Sequence, residues 1–397
     1  MWILGAALLG VVAGAAAVVL VPRSAPEPTT LTPAGSATVG VPTTSAAPAS
    51  ITSAPTGTAG STADAQPEAA LLVVWTSGGL PPGLADAVNG IDGVALVSEI
   101  RSDLIWLEST TTPGLVVPLE ATAVDEAYAT LASAEWAVML EGLTPDHVIL
   151  GESSAKLRGL ASGALVMLSG RQFTVAGEIP DVVVGASEAV MTVAAGAQIG
   201  VTTSRYLLVA FEGDRARFER TVRERIPTEI PTRIRAPGET PFLRHGDAVL
   251  PQVLIKEQFG EFGVRLTGEG GIQIEPEWID ANLATVELPL LGETTCHVGI
   301  LSSLRGAIEE LEHSNLGFLV ESFDGCYNPR FIGGSRSLSR HAWGVAIDLN
   351  YAANPTGQVT VQDPRLVSVL ERWGFTWGGN WLVPDPAHFE WVSPPLP

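Results

Sequence analysis

The chain begins with one nearly unbroken apolar run, WILGAALLGVVAGAAAVVLVP (Trp2–Pro22). It is close to the ~20 residues that cross a bilayer as a helix. From Leu71 the apolar residues regroup into short bursts between polar and glycine-rich stretches. LLVVWTS (71–77) and VALVSEI (94–100) read as strands on either side of a short helix in PPGLADAVNGIDG (81–93). The same order recurs as RYLLVAFEG (205–213), the amphipathic DRARFERTVRERIP (214–227) and TRIRAP (232–237). Between these two β-α-β units lies an insert over about 111–204. Within it, ALVMLSGRQFTVAGEIP (164–180) alternates apolar and polar positions across Gly170, a hairpin signal. Further on, EPEWIDANLATVELPLLG (275–292) leads to ILSSLRGAIEELEHSNLG (300–317), where Leu304, Ile308 and Leu311 repeat at helical spacing. SFDGCYNPRFIGGSRSLS (322–339) is turn-rich, and VAIDLN (345–350) and HFEWV (388–392) read as strands. DPRLVSVLERWG (363–374) is a punctuated helix, with Asp363 to cap it, Pro364 in its first turn and Gly374 to end it.

These elements predict an α+β protein in four parts. A transmembrane anchor occupies 1–22, a linker 23–69, a first folded domain 70–240 and a second 241–397. The first folded domain reads as a ferredoxin-like split β-α-β sheet carrying an insert. The linker is so rich in Pro, Ala, Ser and Thr that it cannot bury enough surface to offset its ordering entropy. The apolar run lacks a basic n-region and exceeds the roughly 7–15-residue core of a cleaved signal, which favours an uncleaved anchor. Arg23, on its C-terminal flank, taken alone argues for the opposite orientation. With the C-terminus outside, everything beyond Arg23 is exported. A net charge of −21 disfavours nucleic acid as a partner.

Candidate chemistry concentrates near the C-terminus, in SRHAWGVAID (339–348) and DPAHFEW (385–391). Catalytic zinc takes three N, O or S side chains and keeps one position for water. His341, Asp348 and His388 can supply such a set, although a histidine near an aspartate serves a structural hydrogen bond equally well. In one continuous strand an offset of seven would place His341 and Asp348 on opposite faces. They converge only if the chain turns, and Gly344 offers that turn. Beyond it Val345, Ile347 and Leu349 face the core, while Ala346, Asp348 and Asn350 face away. His388 and Glu390 share a face of the last strand, and Asp385 stands near enough to act as a base on a metal-activated water.

SLSRHAWGVAIDLN and WGGNWLVPDPAHFEW resemble the two motifs of the M15 zinc peptidases, over roughly 250–395. That family includes VanY-type D-alanyl-D-alanine carboxypeptidases and L-alanyl-D-glutamate endopeptidases. The resemblance implies a Hedgehog/DD-peptidase type domain with Zn2+ held by His341, Asp348 and His388. It makes Asp385 the general base, where many relatives carry glutamate, and Arg330 the group that stabilises the oxyanion. Glu390 and Ser339 would support the ligands from behind, and Arg336 and Arg340 would be solvated. In an exported domain Cys296 and Cys326 are most simply a disulfide, the rival being a cysteine metal site that would need more partners. The middle of the chain, VILGESSAKLRGLASGALVMLSGRQFTVAGEIPDVVVGASEAVM (148–191), is similar to the extracytoplasmic core domain of MacB/FtsX-type permeases, which carries no catalytic motif.

The expected function is therefore a membrane-anchored extracytoplasmic zinc metallopeptidase of the bacterial cell surface. It would cut peptidoglycan stem peptides through zinc-activated water, with residues 70–240 free to engage an envelope protein partner. The alternative is a non-catalytic envelope scaffold that binds wall peptide and a membrane partner.

Overall fold

The computed structural model describes residues 70–268, 270–333 and 337–393. The expected anchor (1–22), linker (23–69) and Arg336 lie outside them. Among the described residues no helix is long and apolar enough to cross a membrane.

The apolar bursts become β1 (Ala70–Thr76), β2 (Val94–Glu108), β3 (Val116–Val124), β4 (His147–Gly151), β5 (Leu165–Leu168), β6 (Arg171–Ile179), β7 (Ala189–Thr192), β8 (Ser204–Phe211) and β9 (Thr232–Arg235). Two three-residue strands, β10 (Val264–Leu266) and β11 (Ile272–Ile274), join them in one sheet of order β11-β10-β3-β7-β4-β6-β5-β2-β8-β1-β9. At one end, β2, β8, β1 and β9 are linked by crossover helices Leu84–Asn89 and Arg215–Arg223, so that β1 and β8 lie side by side at its centre. Leu72 and Val74 of β1 pack with Phe218 and Val222 on one face, while Val73 and Trp75 enter a second core on the other. Burial on both faces explains why this strand reads as a continuous apolar run instead of an alternation.

The insert closes on itself. At 15 residues β2 is long enough to serve three neighbours: Val94–Arg101 pair with β8, Arg101–Glu108 with β3, and Leu107 with Leu168 of β5. The extra β2–β3 pairing joins β2, β3, β7, β4, β6 and β5 into a ring around Ile105, Leu119, Val148, Leu168, Phe173 and Met191. Closure removes the free edges that such an insert would otherwise expose.

Beyond residue 240 the chain does not leave this sheet at once. Helix Gln252–Phe259 lies against it, and β10 pairs with β3 at Val264↔Val116. A largely buried ion cluster of Glu188, Lys256, Arg158 and Glu261 fastens this attachment. The Glu188 carboxylate, beside β7, accepts from Lys256 Nζ (2.7 Å), Arg158 (2.7 Å), Gln252 Nε2 (2.9 Å) and the Glu120 backbone N–H (2.8 Å). Burial alone would raise the Glu188 pKa, but Lys256 and Arg158 outweigh it and hold the group at about 2. That stabilisation is present above the ordinary value of 4.5 and is lost as the pH falls through about 2.

The remaining strands form two small sheets: β12 (Leu283–Leu288) with β13 (Gly292–His297), and β14 (Ala346–Asp348), β16 (His388–Trp391) and β15 (Phe375–Trp377) in that order. Helices Leu301–His313 and Pro364–Arg372 cover them, burying Leu304, Ile308, Leu311, Leu366 and Leu370 in one core. Asp363 caps the second helix by accepting from the Arg365 N–H (2.8 Å). Mixed α+β architecture thus holds throughout the described residues. Glu188→Gln leaves two cations, Lys256 and Arg158, with only the Glu261 carboxylate to pair them, so it is expected to cost about 3–5 kcal/mol in urea unfolding at neutral pH.

Candidate metal centre

The turn required between His341 and Asp348 falls at Gly344, which ends the short 3-10 helix Arg340–Trp343 at φ 65°. A Cβ there would stand 2.9 Å from the His297 backbone nitrogen, so no larger residue fits. Ser339 caps the same helix from the other end, its buried hydroxyl accepting from the His341 N–H (3.3 Å). After the turn, β14 and β16 pair antiparallel with Asp348 opposite His388, Ile347 opposite Phe389 and Ala346 opposite Glu390. Opposite residues share a face, so the ladder itself delivers Asp348 and His388 to one point. Val345, Ile347, Leu349, Phe389 and Trp391 fill the core on the other side.

His341, Asp348 and His388 offer one ligand atom each, all within 4.8 Å of one another. His341 Nε2 is 3.2 Å from His388 Nδ1 and 3.2 Å from Asp348 Oδ2. Asp348 Oδ1 lies 2.9 Å from His388 Nδ1. A tetrahedral ion bound at about 2.0–2.1 Å would set its donors roughly 3.3–3.4 Å apart, so this set has the spacing for zinc. Both imidazoles are held through their other nitrogen. His341 Nδ1 donates to the Cys326 carbonyl (2.8 Å), which turns the Nε2 lone pair toward the cluster. His388 Nε2 faces the Glu390 carboxylate at 3.5 Å.

The Cys296–Cys326 disulfide ties β13 to the segment that supplies that carbonyl. Its loop size corresponds to roughly 3–4 kcal/mol in the chain-entropy account.

Burial opposes charge on Asp348, His388 and Glu390, yet the pairings overcome it. Burial would raise the Asp348 pKa, but hydrogen bonds with His341 and His388 hold it well below the usual carboxylate range. Burial would lower His388, but its bonds to Asp348 and Glu390 push it up to about 9. Glu390 is likewise kept low against its burial by His388 and by Arg340.

Arg340 departs from the sequence expectation: it is buried, not solvated. Its guanidinium donates to the Leu250 carbonyl (2.7 Å) and its Nε lies 3.9 Å from Glu390. The buried Glu390 carboxylate across the site gives this charge a partner, a tertiary fact that local sequence does not carry. Arg330 stays half-exposed at the rim, with one guanidinium nitrogen 4.0 Å from Asp348 Oδ2. Asp385 is not one of the three clustered groups. Its Oδ1 accepts from the Thr356 hydroxyl (2.9 Å), and its carbonyl accepts from the His388 N–H (3.1 Å). Thr356 was not singled out by sequence, since no motif marks it.

The tryptophans divide. Trp343 is fully buried in the core, whereas the Trp381 ring lies 5.2 Å from the His388 ring. His297 is structural: its Nδ1 accepts from Gly299 N–H (3.0 Å) and its Nε2 meets the Phe259 carbonyl (3.1 Å).

Residues 333–391, which carry all three clustered groups and Asp385, match the M15 peptidase family described as D-alanyl-D-alanine carboxypeptidase. The match supports a peptidase in this part of the chain. No curated protein matches the chain. Among solved structures, the periplasmic region of MacB from Actinobacillus actinomycetemcomitans is similar at 13% identity, covering 42% of this chain and 88% of that one, with a TM-score of 0.31. The extracellular domain of the noncanonic ABC-type transporter YknZ from Gram-positive bacteria is similar at 13% identity, covering 38% and 88%, with a TM-score of 0.29.

A zinc ion held by these groups would have to displace the proton that His388, pushed up to about 9, carries near neutral pH. Affinity is therefore expected to rise about tenfold per pH unit between the ordinary histidine value and 9, then level off. Competition with a chromophoric chelator from pH 6.5 to 9.5 reads this directly. Glu390→Gln should lower the plateau pH, and Cys326→Ser, which frees the carbonyl partner of His341, should weaken binding by about tenfold.

Proposed function

We propose that this chain is an extracytoplasmic zinc metallopeptidase that hydrolyses peptide bonds in peptidoglycan stem peptides, as a D-Ala-D-Ala carboxypeptidase or an endopeptidase. The observation that carries the reading is the donor spacing, with 3.2 Å between His341 Nε2 and each of His388 Nδ1 and Asp348 Oδ2. His341, Asp348 and His388 would hold the ion. Bound there, zinc supplies Lewis acidity, polarising a carbonyl and making a water nucleophilic near neutral pH.

The remaining chemistry belongs to the side chains. Asp385 takes the proton of the attacking water and returns it to the leaving amine. The Thr356 hydroxyl, bonded to Asp385 Oδ1, fixes the plane of that carboxylate. Arg330, charged and half-exposed beside Asp348, meets the negative charge that develops on the carbonyl oxygen. Arg340 holds Glu390, and Glu390 holds the His388 ring from behind.

The disulfide suits an oxidising exterior. The apolar run at Trp2–Pro22 suits single-pass attachment to a bacterial cell membrane, with residues 70–240 available to an envelope partner. On fold, the proposal extends to a ferredoxin-like unit of β1, β2, β8 and β9, supported by their strand order. It extends also to a Hedgehog/DD-peptidase type domain around the cluster, supported by the family match.

Mass spectrometry of muropeptides digested by the zinc-loaded full chain tests the reading. His341→Ala should abolish both zinc binding and cleavage. Asp385→Ala should keep zinc but lower kcat about 10²–10⁴-fold. Arg330→Ala should lower it about 10²–10³-fold. Cleavage that survives both metal removal and Asp385→Ala would sink the proposal.

A further inference from the structure

The loop that carries Asp385 is anchored in the large sheet. Residues 378–387 fold back on themselves, with the Gly378 carbonyl accepting from both the Trp381 N–H (3.1 Å) and the Asp385 N–H (2.9 Å). Gly378 is required for this closeness, because a Cβ there would stand 2.6 Å from the Asp385 carbonyl oxygen. One side of the loop faces the cluster, with Trp381 against His388. At its tip Asn380 and Leu382 reach the other way. Leu382 packs into the core lined by Val73, Trp75, Tyr206 and Leu243.

Asp247 seals that contact. Its side chain is 6% exposed, and Oδ2 accepts from the Leu382 N–H at 2.7 Å. Oδ1 accepts from Arg235 (2.6 Å) and from Arg233, whose other guanidinium nitrogen donates to the Asn380 carbonyl (3.2 Å). Arg235 in turn lies over the Trp75 ring, 6.0 Å from its centroid. Both arginines project from β9, the edge strand of the sheet. A carboxylate oriented by two guanidiniums is a firm acceptor for a backbone amide, so the loop tip is clamped at two backbone positions and one apolar side chain.

We propose that Asp247, set by Arg233 and Arg235, is a positioning residue for the candidate site. It holds the 378–387 loop so that Trp381 stays over His388 and the Asp385 carboxylate keeps its place. The large sheet is then a working part of the peptidase. The metal-binding groups do not depend on the clamp, because Asp348 and His388 are fixed by their own ladder and His341 by Cys326. Its effect on cleavage rests on the function proposed above, whereas its effect on the loop does not.

The test compares Asp247→Ala, Asp247→Asn and, as a stability control away from the loop, Glu188→Gln, all in the full chain. Three properties are read: hydrogen exchange at 378–387, zinc affinity and muropeptide kinetics. Asp247→Ala should speed exchange at the Leu382 amide and its neighbours. It should lower kcat by about tenfold to a hundredfold, as for a displaced catalytic group, with zinc affinity and KM unchanged. Asp247→Asn, which keeps an acceptor for Leu382, should recover part of both losses. Unchanged protection at 378–387 overturns the proposal, as does a kcat loss that Glu188→Gln matches. If the unaltered protein cleaves no muropeptide, the functional reading fails, while the exchange measurement still decides the clamp.

Discussion

The pairing of β14 with β16 is the constraint on which the candidate site depends. Three cross-strand pairs place Asp348 opposite His388 and Ala346 opposite Glu390. Side chains alternate along a strand, so this register alone sends two donor groups and one supporting carboxylate to one face, and Ile347 and Phe389 to the other. Ala346 is small where Glu390 needs space, and both are buried. The 3-10 turn before β14 then only has to swing His341 over a face already built, and Gly344 permits that swing.

A second constraint operates at the seam between the large sheet and the C-terminal part. Glu188, Lys256 and Arg158 bury full charges, which is costly unless every group is paired. Here the Glu188 carboxylate is met by two cations, a side-chain amide and a backbone N–H. Such a cluster tolerates little rearrangement, so helix Gln252–Phe259 has one seat on the sheet. Arg340, through the Leu250 carbonyl, extends this fixed geometry toward the ligands.

Much of the site was legible in sequence because its constraints are local. The odd offset between His341 and Asp348 demanded a turn, and glycine marked where. Apolar Val345, Ile347, Phe389 and Trp391 identified the core face of each strand. What stayed hidden depends on contacts between distant segments. Arg340 looks like one more polar loop residue until Glu390 stands beside it. Thr356 lies in a loop with no motif and matters only through Asp385. β10 and β11 are three residues each, too short for a periodicity, so the attachment of residues 252–274 to the large sheet left no pattern. Closure of the insert was equally hidden, since it rests on one long strand, β2, changing partners at Arg101.

The ladder between β14 and β16 also sets where the chain tolerates change in length. The two strands are joined by residues 349–387, but their register comes from hydrogen bonds and core packing, not from that connection. The short stretch 358–361, past Thr356 and with Val359 and Val361 exposed, can gain or lose residues and leave the donor atoms where they are. Between Gly344 and Asp348, or within His388–Trp391, a single inserted residue would turn every following side chain to the opposite face. It would exchange a carboxylate for an aliphatic group at the centre of the site. Drift in chain length can therefore reshape that outer stretch, while the centre of the site admits no insertion.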